Sequence, residues 1–356
     1  MRALGWIGLA AALLSSLPAA AQTDAVASER RNYQLDNDMW GRRASDRDYT
    51  MGLLFTDFTL AGERGLLWVR PLGGFNEALG LAPAVKPDTL VHWTVGGALY
   101  TPKDLLRADT VQGDRPYASL LYVGAGYWSS EGAVTTESEF QLGALGTPFG
   151  KTTQRAIHHL CCKSHLPEGW ENQVGEGGSP TLLYHIKWNR QLELLPSGRA
   201  ALVVGAGADL GYQVRAIAGA TLYAGATAED LRAIQVQANG SPPALQPGGQ
   251  AAAIKLAGGK GAALWLDYEI SAVRYNQLLE GAWFGRNALT YNYGEIAHTV
   301  HKVTVGADLT FIPRWLFGVC ESHCRLYATQ TWRSRELRDG DEHWHRWGSF
   351  ILSTDL

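Results

Sequence analysis

The sequence is short of charge and of cysteine. Asp, Glu, Lys and Arg make up 18% of its 356 residues, and the formal net charge is −3. A small negative balance gives no general attraction to nucleic acid. No CxxC pair or HExxH pattern of the zinc-binding kind occurs. No GxSxG elbow occurs either, so a serine hydrolase built on a strand-to-helix turn is not signalled. Beyond the N-terminal segment there is no long unbroken apolar run. That argues against a membrane-spanning helix, which needs about 20 such residues. It leaves open a soluble β protein or a β-barrel, whose membrane signal is carried by alternation.

The N-terminus has a pattern of its own. Arg2 precedes an Ala- and Leu-rich run from Ala3 to Pro18, followed by Ala19, Ala20 and Ala21. Such a basic, apolar and small-residue series reads as a secretory signal peptide over residues 1–21. Residues 22–356 then form a single domain, since no linker composition interrupts them. Export permits disulfides among Cys161, Cys162, Cys320 and Cys324. The order of the cysteines does not choose the pairing, although Cys320 with Cys324 is the most local one.

What is abundant is Gly (41), Tyr (14) and Trp (13). Several segments also alternate with the strand period of two. Leu264, Leu266, Tyr268 and Ile270 oppose Trp265, Asp267, Glu269 and Ser271. Val303, Val305 and Ala307 oppose Lys302, Thr304 and Asp308; Leu182, Tyr184, Ile186 and Trp188 oppose Leu183, His185, Lys187 and Asn189. The run from Val204 to Arg215 alternates in the same way. Further strands are expected near 50–60, 91–100, 117–128, 134–144, 217–225, 250–257, 288–300, 323–333 and 345–354. Runs of roughly ten residues with one polar or small face suit a tilted crossing of a bilayer. Strands in lipid must close so that no peptide group is left unpaired. The expected fold is therefore all-β, a transmembrane antiparallel β-barrel of about 12 strands. Gly150 to Cys162 breaks the pattern and reads as a short helix, with a loop from Pro167 to Gln173.

The chemistry-bearing residues gather in a few places. Gln154 and His158 are four apart and share a face of that short helix. Histidine exchanges a proton near neutral pH, which suits a general base. Taken alone, such a histidine is more often a packing or surface residue. Asp36, Asn37, Asp38, Asp46 and Asp48 offer oxygens of the kind calcium takes, without the spacing of an EF-hand. Arg115, in Asp114-Arg115-Pro116-Tyr117-Ala118, could grip a phosphate with its planar fork or simply brace the wall.

The motifs together carry a resemblance. Asn37-Asp38, Tyr49-Thr50-x-Gly52, the stretch Asp114 to Ala118, Gln141-Leu142-Gly143, Gln154-x-x-x-His158 and Gly169-Trp170-x-x-Gln173 follow in order. Val273 to Gly281 and Trp332 to Gly340 continue the series. The chain resembles the lipid A 3'-O-deacylases of Gram-negative outer membranes. The resemblance implies a calcium-dependent hydrolase in the outer membrane, acting on the 3'-linked acyloxyacyl ester of lipid A. It implies His158 as the base that activates water, with Asn37, Asp38, Thr50 and Gln154 completing the site. Asn37 and Asp38 would hold the calcium, and Arg115 would contact substrate. Lipid A, or lipopolysaccharide, and the surrounding outer-membrane lipids are the expected partners; no nucleic acid or obligate protein partner is implied. An acidic site residue after His158 is not placed by the resemblance; Glu168 and Glu171 are the nearest carboxylates. A phospholipase and a non-enzymatic narrow pore are the alternatives that the residues alone leave open.

Overall fold

In the computed structural model twelve antiparallel strands close into a barrel, each bonded to its sequence neighbour and β12 to β1. The structure describes residues 30–38, 47–87, 89–131, 134–159, 166–194, 200–225, 263–308, 324–339 and 344–355. The strands are β1 (Arg30–Asn37), β2 (Asp48–Leu60), β3 (Leu90–Thr101), β4 (Ala118–Glu131), β5 (Val134–Leu145), β6 (Ser179–Glu193), β7 (Ala200–Gly211), β8 (Gln213–Gly225), β9 (Ala263–Asn276), β10 (Thr299–Asp308), β11 (Cys324–Arg333) and β12 (His345–Asp355). Two helices matter below, α1 (Gly62–Ala78) and α2 (Phe149–Ile157). Among the described residues no helix is long and apolar enough to cross a membrane.

The alternation read from the sequence sorts residues as expected for a membrane barrel. Leu264, Leu266, Val305, Leu182, Leu222 and Phe350 are exposed on the outer wall. Their neighbours Trp265, Asp267, Thr304, Leu183, Thr221 and Ser349 are buried on the lumen side. The lumen holds charges in mutual contact. His185 Nδ1 lies 2.6 Å from Asp209 Oδ1, and Arg215 Nε donates to Asp209 Oδ2 at 2.5 Å. Lys302 Nζ pairs with Glu269 Oε2 at 3.1 Å, and His92 Nε2 lies 3.3 Å from Glu139 Oε2. Such pairing is required, because stranding one member of a buried pair costs about 3–5 kcal/mol. Bulky rings fill the rest. Trp265 lies so close over Gly306 that a Cβ there would sit 2.0 Å from the indole.

Several features differ from the sequence reading. The run from Val204 to Arg215 is two strands joined at Tyr212, because Gly211 turns the chain at φ 149°. The hairpin places Asp209 opposite Arg215, so the alternation survives the turn and hides it. Residues 288–298 are an irregular segment rather than a strand, and β10 starts only at Thr299. β1 and α1 are additional elements. The loop over 167–173 contains a short 3-10 turn, Gly169–Asn172. Residues 1–21 and 250–257, together with Asp46, Cys161, Cys162 and Cys320, lie outside the described residues.

We call the end of the barrel where Asn37, Asp48, Thr101 and Ala118 meet the upper rim. The opposite end, where β2 passes through α1 to β3, is the lower rim.

Candidate active site

A row of outward-facing residues crosses four strands at the upper rim. The register pairs Asn37 with Met51, Met51 with Leu99, and Leu99 with Ser119. Directly opposed residues share one face of a sheet. Outward positions on a membrane barrel ordinarily meet lipid, yet Met51, Leu99 and Ser119 are buried. Two residues lower on their strands, Leu35 and Leu53 are 37% and 38% exposed. The row is thus a ledge immediately above the apolar belt.

The cover over this ledge is α2. Its first turn has no side-chain cap of its own. Ser119 from β4 supplies one, its Oγ accepting from Gly150 N at 2.9 Å. Phe149 and Ile157 then pack against Met51, Leu99, Tyr117 and Trp170. The helix's buried stripe is Gly150, Gln154 and His158, spaced by four. Gly150 is needed for close approach, since a Cβ there would lie 2.4 Å from the Trp170 ring. His158 closes the helix as its C-terminal cap residue.

Gln154 is held at one end only. Its Oε1 accepts from the Trp170 indole Nε1 at 2.8 Å. Its Nε2 is buried and has no hydrogen-bond partner among the described residues. An unmatched buried donor costs about 1–3 kcal/mol. That cost is tolerated where a ligand oxygen completes the bond.

β1 and β2 bring the other predicted residues to the same rim. Asn37 ends β1 on the outward face, and Asp38 is buried in the turn that follows, its Oδ2 accepting from Arg47 N at 2.9 Å. A register shift between Tyr49 and Met51 makes Thr50 the extra residue of a bulge. Bulges re-aim side chains beside functional sites. Here Tyr49 points inward, its hydroxyl donating to Asp36 at 2.7 Å, while Thr50 Oγ1 lies 2.6 Å from Thr101 Oγ1. Asn37, Asp38 and Thr50 therefore share the rim of two adjacent strands, and Gln154 and His158 face the ledge from above.

Asn37, Asp38 and Thr50 offer an amide oxygen, a carboxylate and a hydroxyl. These hard oxygen donors fit calcium in kind, with a single formal charge and with backbone oxygens or water to complete the shell. Among the described residues no three of His, Cys, Asp and Glu gather as a metal cluster. The set suits an ion that substrate oxygens help to hold.

Arg115 stands apart, on the lumen side of the mouth. It is buried, forms an ion pair with Glu336, and its guanidinium sits 4.2 Å over the Tyr100 ring. Glu336 also accepts from Arg333 Nη2 at 2.7 Å. Burial alone would raise the Glu336 pKa; the Arg115 and Arg333 guanidiniums outweigh it and hold the carboxyl below its ordinary range. Asp114 shifts upward, chiefly because it is partly buried. These groups line a mouth cavity of about 240 Å3 together with Arg47, Asp48 and Lys103. The contacts of Arg115 are those of a brace. Glu168 and Glu171 are both exposed, and Glu171 pairs with Lys151. Trp170 and Ser119 were legible only as a motif residue and a strand residue, not as the groups that fix Gln154 and α2.

Comparison with known proteins agrees with this architecture. The family model described as outer membrane protein LpxR matches residues 7–356. The solved structure of LpxR from Salmonella typhimurium superposes with a TM-score of 0.68 at 16% identity, covering 92% of this chain and all of that one. The translocator domain of the autotransporter NalP from Neisseria meningitidis gives a TM-score of 0.40 at 10% identity, covering 99% of this chain and 94% of that one. No curated protein sequence matches the chain.

Proposed function

Because the chain belongs to the LpxR family of outer-membrane proteins, the lipid A 3'-O-deacylases, we propose that its ester hydrolysis runs on the ledge beneath α2, with His158 as general base and calcium as cofactor. The observation that carries this reading is the buried Gln154–His158 stripe facing an outward ledge at the top of the lipid belt. Lipid A has a sugar phosphate head and acyl tails, so its ester bonds lie at the boundary between the polar rim and the apolar wall. The upper rim would then sit at the outer leaflet.

His158 would take a proton from a water molecule as its oxygen attacks the ester carbonyl. It would return the proton to the departing sugar oxygen, giving a free 3'-hydroxyl and the released acyloxyacyl acid. The unpartnered Nε2 of Gln154 is suited to donate to the carbonyl oxygen as negative charge builds there. Thr50, re-aimed by the bulge, and Asn37 would orient the head group or the ion. Calcium, held by Asn37 and Asp38, would supply polarisation of the carbonyl when bound. Residues 1–21 would direct export and residues 22–356 would form the single barrel.

The test is mass spectrometry of lipid A from cells making the wild-type or the His158→Ala chain, with calcium present or chelated. The expected result is loss of the 3'-linked acyl group only with the wild type in calcium. Equal deacylation by a folded His158→Ala barrel would remove His158 from the chemistry. Full activity under chelation would remove the ion.

A further inference from the structure

A second helix lies on the outer wall, at the lower rim, and its surface is divided in three. The wall face of α1 is Val69, Gly73 and Asn76, spaced three and four apart and buried. Val69 packs with Val91 and Tyr127, which are outward residues of β3 and β4. Asn76 is tied at both ends: its Nδ2 donates to Tyr127 Oη at 2.7 Å, and its Oδ1 accepts from Tyr184 Oη at 2.6 Å. The helix is therefore fixed to the wall in one rotation about its axis.

That rotation sets where the other side chains go. At 3.6 residues per turn, Trp68, Phe75 and Leu79 fall about a quarter turn to one side of the wall face, while Arg70 and Glu77 fall about a quarter turn to the other. The first three are 81%, 50% and 52% exposed. The Phe75 ring meets the Tyr184 ring edge-on at 5.4 Å. Lower on the same strand, Trp188 Nε1 donates to Leu81 O at 2.8 Å. Tyr184 is also in register with Phe140 and Leu210, both exposed on the lipid-facing wall. So the apolar side of α1 looks up along the wall into the belt, and the polar side looks away from it.

We propose that α1 is an interfacial helix, seated between the barrel wall and the acyl chains of the periplasmic leaflet, with Trp68, Phe75 and Leu79 inserted among glycerophospholipids. A helix with one apolar side and one charged side, lying in the plane of a bilayer edge, places its aromatic residues at the head-group boundary. Its apolar stripe is continuous with the lipid-facing wall, which identifies the occupant as lipid rather than water. Arg70 and Glu77 then face the periplasm. The leaflet assignment rests on the reading that places the active site at the outer leaflet.

The experiment is photo-crosslinking in intact cells, with the full chain carrying benzoylphenylalanine in place of Trp68 or, separately, of Glu77. Mass spectrometry of the purified barrel identifies each adduct. Glycerophospholipid adducts several-fold more abundant at position 68 than at 77 are the expected result. Equal lipid adducts at both positions, adducts to a second copy or to another protein, or no lipid adduct at 68 would overturn the proposal. Lipopolysaccharide adducts at 68 would instead show α1 at the outer leaflet, which defeats the orientation and the site reading together. Both substitutions are at exposed positions, and heat-modifiable migration of the barrel checks folding.

Discussion

Among the described residues two helices, α1 and α2, lie over the outer wall, and each carries a buried carboxamide on its inner side. Under α1, Asn76 uses both ends of its amide, on Tyr127 and Tyr184. Under α2, Gln154 uses one end, on Trp170, and leaves its Nε2 unmatched. The lower ledge is a finished joint, in which every polar atom of the amide contributes to holding the helix. The upper ledge is an unfinished one, and the missing partner is an oxygen acceptor. A wall otherwise coated in Leu and Val carries buried polar groups outside the lumen only with a reason. At the lower rim that reason is attachment, and at the upper rim it is chemistry.

Substitutions can break this contrast, beginning with the base. His158→Ala is expected to lower kcat by about 10²–10⁴, the usual contribution of a positioned general base. Purified, folded barrel assayed on lipopolysaccharide gives the value. A change under tenfold would place the proton transfer elsewhere. Next, Gln154→Ala removes the unmatched donor and should cost about 10²–10³ in kcat, as loss of an oxyanion donor does. Asn76→Ala is its counterpart on the other ledge. It takes the amide away from the Tyr127 and Tyr184 hydroxyls and should destabilise the barrel by about 1–3 kcal/mol, while the rate per folded molecule stays unchanged. If Asn76→Ala slowed turnover as much as Gln154→Ala did, the two ledges would not differ in kind.

How far the sequence foretold this depends on which force shaped each element. Strands such as Ala263–Asn276 were legible because lipid outside and ion pairs inside impose opposite chemistry on alternate residues. β1 escaped because its outward face has only two exposed apolar residues, Tyr33 and Leu35, set between Asn32, Gln34 and Asp36. The turn at Tyr212 escaped because a hairpin can preserve the alternation on both sides. α1 escaped for the opposite reason. Its sequence contains Pro71 and four glycines, all poor helix formers, so its helicity comes from docking on the wall. At the site, the spacing of Gln154 and His158 announced a shared helix face. The bulge at Thr50 and the bond from Trp170 are tertiary events that local pattern does not encode.

The Trp170 bond gives a finer test of the upper ledge. Trp170→Phe keeps an aromatic ring beside Gly150 but removes the N–H that fixes the Gln154 amide. One neutral hydrogen bond is worth about 1 kcal/mol, so kcat should fall by about fivefold, less than for Gln154→Ala. A loss as large as that of Gln154→Ala would mean that Trp170 shapes the whole ledge rather than one amide.

The smallest effect is expected at the mouth, where Arg115, Arg333 and Glu336 form a brace on the lumen side of the wall. The folded pKa of Glu336 is lowered, so its contribution to stability is fully present above the unfolded value of about 4.3. It is lost as pH falls through the lower folded value. Glu336→Gln should lower barrel stability at neutral pH by about 1–2 kcal/mol, a fraction of the cost of breaking a fully buried pair. As pH falls below about 4.3 the gap between variant and wild type should narrow, and it should close only once pH is below the lowered folded value, where the wild-type carboxyl is protonated as well. Denaturation midpoints of the two barrels across that range measure this. Deacylation per folded molecule at neutral pH should be the same in both, since the brace and the ledge lie on opposite faces of the wall. A slower reaction at equal stability would tie the mouth cavity to substrate, and would move Arg115 from scaffold to head-group contact.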